Sequence, residues 1–251
     1  MKIVDRETGK RLKEVDPVKA NVEKDAEISE GELSPMDPPD AYSSYASIEV
    51  ENDKMDESLM QFKKEHEKLT EVLEVFEKAI HEFKELGYVL NNNINDGFKK
   101  FFDFFDNDLL PHNRKEEKVL FPVLQKALLK NNEHGTGKKP VTAVDIMEDD
   151  HVKFIQLGSL TFNLLGLAPR FRDEQSKLFT YDVAYNSAKE LIEMIRLHIF
   201  REDNTLFPLA QKYISQKEFE QICLEMNMHE NEDIESTHHD HNHDHDHHHH
   251  H

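Results

Sequence analysis

The sequence predicts an all-α fold: an up-down-up-down four-helix bundle with a short C-terminal fifth helix, flanked by disordered tails. Three observations carry this. Four long stretches place apolar residues at alternating steps of three and four, the signature of a helix with one buried face. Short turn signals separate them, which sets sequential helices antiparallel and adjacent. The chain on either side has compositions that cannot form a core.

The first helix follows from Leu59, Phe62, His66, Leu69, Leu73, Phe76, Ile80 and Phe83, a seam of about 30 residues with one histidine on it. After the Asn91-Asn92-Asn93 turn, Phe98, Phe101, Phe105, Leu109, His112, Glu116, Leu120 and Val123 form the second, ending near Asn131 to Gly137. The third, about 142 to 167, carries Val144, Met147, His151, Phe154, Gly158, Thr161 and Leu165 and closes at Ala168-Pro169. The fourth, about 173 to 214, aligns Ala184, Ala188, Leu191, Ile195, His198, Glu202, Leu206 and Leu209. Ser215-Gln216-Lys217-Glu218 is a capping box that opens the short fifth helix, ending near Met228.

The domain division is therefore an acidic arm over 1–54, the bundle over 55–228 and a His/Asp-rich tail over 229–251. A small hairpin could form within residues 2–15 around Glu7-Thr8-Gly9-Lys10. From Asp25 to Asp53 there are nine acids, no Lys or Arg, and Pro35, Pro38 and Pro39, too little apolar surface to offset chain entropy. Residues 238–251 are only His, Asp and Asn, with ten of the 17 histidines. That tract reads either as a purification tag, since it ends in five consecutive histidines, or as a native metal-sequestering tail. Asp240, Asn242, Asp244 and Asp246 interrupt it.

Lys+Arg 31 against Asp+Glu 51 gives a formal charge of -20, which repels phosphate backbones and anionic lipid. Nucleic-acid and membrane-surface roles are disfavoured, and the protein partner is not specified. One cysteine, Cys223, excludes an intrachain disulfide, a Cys-based zinc finger or an iron–sulfur cluster held by this chain alone. The start of the sequence lacks the apolar core of a secretory signal, and no apolar run reaches spanning length. A soluble cytoplasmic protein is expected.

The helices contain a repeat. His112 and Glu116, followed by Leu120-Phe121-Pro122, recur 86 residues later as His198 and Glu202, followed by Leu206-Phe207-Pro208. Each copy is H-x-x-x-E-x-x-x-L-F-P. Upstream, Glu65-His66 and Asp150-His151 repeat at an offset of 85. Residues four apart share a helix face, so His and Glu at this spacing can reach one metal from a single helix. With His66 and His151 the pattern collects four imidazoles and two carboxylates in mid-bundle. Nitrogen and oxygen donors suit iron, manganese, zinc or copper. Unpaired buried carboxylates would cost several kcal/mol each, a penalty that a bound cation removes.

At these residues the sequence resembles the hemerythrin-like, or HHE cation-binding, family, over about 56 to 228. The resemblance implies two iron ions in a non-haem di-iron, oxo-bridged centre, with His66, His112, His151 and His198 as terminal ligands. Glu116 and Glu202 would bridge the two metals. It also implies a small redox ligand such as O2, peroxide or nitric oxide, used in reversible binding, in sensing, or in oxidase or peroxidase chemistry. Repair of damaged iron centres is another family role, but the cysteine-containing N-terminal domain that often accompanies it is replaced here by the acidic arm. The sequence departs from the family's oxygen carriers, which place H-x-x-x-H on the third helix: Met147 and Ile155 flank His151 at four residues. The loss of one imidazole weakens the O2-carrier reading and favours redox turnover, with Glu148 or solvent as candidates for the vacant position. A metal-storage role for the His-rich tail is a further alternative.

Other residues read as ordinary. His81 and His134 are expected at the surface, Phe101, Phe102, Phe104 and Phe105 in core packing, Glu117 in solvent, and Cys223 on an apolar face.

Overall fold

The computed structural model describes residues 55–135 and 140–239 of the chain. The hairpin expected in 2–15, the acidic arm and the last twelve residues of the His-rich tail lie outside them. Among the described residues every regular element is helical.

Helix α1, Glu57–Glu85, starts at Asp56, whose carboxylate accepts the Ser58 amide at 3.0 Å. It ends where Gly87 takes φ 64° and the Tyr88 amide reaches back to the Phe83 carbonyl at 2.8 Å. The second rod, residues 92–130, is capped by Asn91 and is not one uninterrupted α-helix. It comprises α2 (Asn92–Phe104), a π segment (Phe105–Leu109), α3 (Leu110–Lys115), a second π segment (Glu116–Leu120) and α4 (Phe121–Lys130). Thr142 and Asp145 form a capping box for α5, Ala143–Leu167, and a 3₁₀ turn at Ala168–Arg170 ends it. The fourth rod starts at the Asp173 cap with α6 (Glu174–Arg201), continues through a π segment (Glu202–Leu206) and ends in α7 (Phe207–Tyr213). Helix α8, Gln216–His239, opens with the expected Ser215–Glu218 pairing. It runs past the expected end near Met228, because no Gly or Pro intervenes to stop it.

Two pairs of rods show antiparallel contacts. Arg196 grips Glu77 and Lys84 meets Asp182, so α1 advances as the fourth rod retreats. Phe102 against Phe162 and Gln125 against Asp145 give the same sense between the second rod and α5. Close approach of these two needs Gly158, where an added Cβ would lie 2.5 Å from the Phe105 ring.

The apolar interior is divided in two. One cluster holds Phe76, Phe83, Phe101, Phe154 and Leu191; the other holds Phe62, Phe121, Leu124, Phe207 and Phe219, with α8 packed over it. On each rod the histidine marks the passage from one cluster to the other. The polar residues therefore form one layer between two apolar cores. None of the described helices is long and apolar enough to cross a membrane.

Candidate metal centre

All six residues singled out in the sequence converge on this layer. His66 (2% exposed), His112 (5%), Glu116 (0%), His151 (1%), His198 (3%) and Glu202 (0%) are buried. Donor atoms of His66, His112, Glu116 and Glu202 lie within 4.8 Å of one another, and so do those of Glu116, His151, His198 and Glu202. Both groups contain both glutamates.

Local backbone explains how the glutamates reach the middle. Inward positions His112, Glu116 and Leu120 are spaced four residues apart twice running, which on an ideal α-helix drifts by about 80°. The π segments absorb this drift. The Phe121 amide bonds the Glu116 carbonyl and the Phe207 amide bonds the Glu202 carbonyl, five residues back in each case. The next residue is proline both times. Pro122 and Pro208 have no amide to donate and their rings crowd the carbonyl four residues earlier, so the helix widens just before them. The L-F-P ending of the repeat thus belongs to the site, although spacing alone did not show why. Two successive steps of four followed by proline were the available signal. A third instance, Phe105–Leu109 before Pro111, has no counterpart in the second repeat.

The phenylalanine of each L-F-P also serves the site, crosswise: Phe207 stacks on His66 and Phe121 on His151, both at 5.6 Å between centroids. Carboxylates outside the cluster fix the other ring nitrogens. His66 Nδ1 lies 3.0 Å from Asp203, His112 Nδ1 2.6 Å from Glu65 and His151 Nδ1 2.8 Å from Glu117. For His198 the corresponding group is Asp150, at 3.6 Å. Each rod supplies a carboxylate to the histidine of the next, around the bundle. An Nδ1–H donated outward leaves the Nε2 lone pair facing the centre. Glu65, Glu117, Asp150 and Asp203 were not assigned this part from the sequence; each adjoins a repeat residue, which was the clue. Glu117 is solvated as expected, at 43% exposure, yet it also holds His151.

The cluster fits a cation. Nε2 of His66 and of His112 face each other at 3.2 Å, as do those of His151 and His198. Nitrogens at about 2.1 Å from one metal and at right angles to each other are separated by about 3 Å. Both oxygens of Glu116 and of Glu202 are buried without a hydrogen-bond partner. Protons compete for the same place. Burial opposes charging His66, but Asp203 and Glu202 overcome it and raise the imidazole to about 10. Against the same opposition, Glu202, Asp150 and Glu116 raise His198 to about 9. Burial would raise Glu202, yet His198 and His66 hold it well below the carboxylate range.

Glu148 does not join the cluster: it is exposed and absent from both groups, which corrects its candidacy for a vacant ligand position. Helical phase is the reason, since it directs Met147 inward (3% exposed) and Glu148 outward. Ile155 is 49% exposed. His81 and His134 are at the surface. Phe101 and Phe105 are core, whereas Phe104 also lines a cavity of about 300 Å³ beside His66 and His112. Cys223 is half-buried, and burial with Asp56 and Glu57 pushes its thiol up, away from a reactive thiolate.

Comparison with known proteins agrees with this geometry. The model of the hemerythrin HHE cation-binding domain matches residues 57–210. The iron-sulfur cluster repair protein YtfE of Cronobacter sakazakii is 30% identical over 114 residues, 45% of this chain and 47% of that protein. The same-named proteins of Salmonella paratyphi B and Salmonella newport are 26% identical over 118 residues, 47% of this chain and 49% of theirs. The chain spans about half the length of the curated relatives it matches. No solved structure gives a significant match. A duplicated His/Glu cluster between two apolar cores, inside a matched segment covering more than half of the sequence, places this chain in the hemerythrin HHE cation-binding domain family.

Proposed function

We propose that the chain is an up-down-up-down four-helix bundle holding two iron ions and using them to sense or handle O2, peroxide or nitric oxide. One observation carries the two-ion reading: two His-containing groups share Glu116 and Glu202. His66 and His112 would hold one ion, His151 and His198 the other, with the two glutamates common to both. When bound, such an iron pair exchanges electrons with small oxidants.

The chain's residues would orient that chemistry. Phe207 and Phe121 fix the planes of His66 and His151, and the two apolar clusters flank the layer on either side. A cavity of about 300 Å³, lined by His66, His112, Leu69 and Phe104 together with the charged Glu65, Lys68 and Lys115, is large enough to admit a small ligand beside this half of the site. Iron analysis and the optical spectrum of protein purified without air test the reading. Two irons per chain are expected, and Glu116→Ala or Glu202→Ala should abolish the second. Wild-type protein that takes up one iron or none overturns it.

The relatives named for iron–sulfur cluster repair favour a second reading, in which the bound iron is delivered to a damaged cluster. Iron-dependent consumption of oxidant without transfer supports the first reading. Transfer of labelled iron to a cluster-depleted acceptor protein supports the second.

A further inference from the structure

The two halves of the centre are copies in sequence but not in geometry. In the first half, Glu65 precedes His66 and serves two partners with separate oxygens: Oε2 accepts from His112 Nδ1 at 2.6 Å and Oε1 accepts from Lys115 Nζ. In the second half, Asp150 precedes His151 and faces the equivalent pair, His198 and Arg201. The same oxygen, Oδ2, faces both, at 3.0 Å from Arg201 and 3.6 Å from His198 Nδ1. The other oxygen lies toward Lys153, at 3.6 Å. His198 Nδ1 is consequently buried without a hydrogen bond, which is true of no other ring nitrogen in the cluster.

One methylene accounts for the difference. The longer glutamate spans both the imidazole and the cation three residues beyond it. The aspartate is drawn to the fixed charge of Arg201 and stops short of the ring. An imidazole whose outer nitrogen has no acceptor is less firmly oriented and a poorer donor through the inner one.

Resting on the two-ion reading above, we propose that the halves hold metal unequally. The His151/His198 half releases its ion first, and Asp150 and Glu65 are the positioning residues that set the order.

The test loads full-length protein with Fe(II) in the absence of air and follows release to a chromogenic Fe(II) chelator. Wild-type protein should lose its two ions in two phases of equal amplitude. Asp150→Glu should slow the fast phase about tenfold and leave the slow phase in place. Glu65→Asp should instead accelerate the slow phase by a similar factor. A loss of packing alone would move both phases together, so phase selectivity identifies a positioning role. Two ions leaving at one rate, or both substitutions acting on the same phase, overturns this inference alone. Uptake of fewer than two ions overturns the two-ion reading and this inference with it. If Asp150→Glu does not fold, Glu65→Asp still decides.

Discussion

Without a cation, the charge of buried Glu202 is balanced by the imidazolium of His198 and His66, and this makes the metal-free protein sensitive to pH. His66 and His198 are raised from an ordinary 6.5 to about 10 and about 9. The stabilisation they provide is fully present below pH 6.5 and is lost as pH rises through about 9 to 10. Thermal unfolding of chelator-treated protein should therefore show the melting temperature falling across that interval. Metal-loaded protein should not show this fall, because the same nitrogens are then occupied. Metal uptake near pH 7 should also release protons, seen as a binding heat that changes with the buffer's ionisation enthalpy.

The decisive feature at the scale of the element is the π segment. Pro122 is exposed, so Pro122→Ala removes little packing; its effect is to let the helix return to regular α geometry. Helix content and melting temperature should hold or rise, while metal affinity falls as Glu116 turns from the centre. Circular dichroism and metal titration on the same variant check this, and unchanged affinity would detach the proline from the site. Helix α5 gives a complementary case. Gly158→Ala puts a methyl into the Phe105 ring and should destabilise the fold by about 1–3 kcal/mol, read from denaturant unfolding.

At the scale of the molecule, the polar layer interrupts what would otherwise be one core. The apolar clusters on either side hold the rods together, while the layer between them gathers buried imidazole and carboxylate donors that a cation would join. Metal loading should therefore stabilise the whole bundle. A ligand present at a hundred times its dissociation constant contributes about 2.7 kcal/mol, about 5–10 °C in melting temperature for a domain of this size. Differential scanning calorimetry with and without Fe(II) checks it.

The sequence by itself determined the helices, their order and the six residues of the layer. Apolar steps of three and four report a buried face directly, and the 86-residue repeat marks His112, Glu116, His198 and Glu202 twice over. It also contained the prolines and the flanking acids, but their parts could not be read from spacing, because each acts on a residue in another turn or another rod. Only the tertiary structure decided that Glu65 meets His112, that Phe207 lies on His66 and that Asp150 stops short of His198. Periodicity fixes which way a side chain leaves its own helix. What it meets, and at what distance, depends on the phase and separation of the neighbouring rod, down to a single methylene.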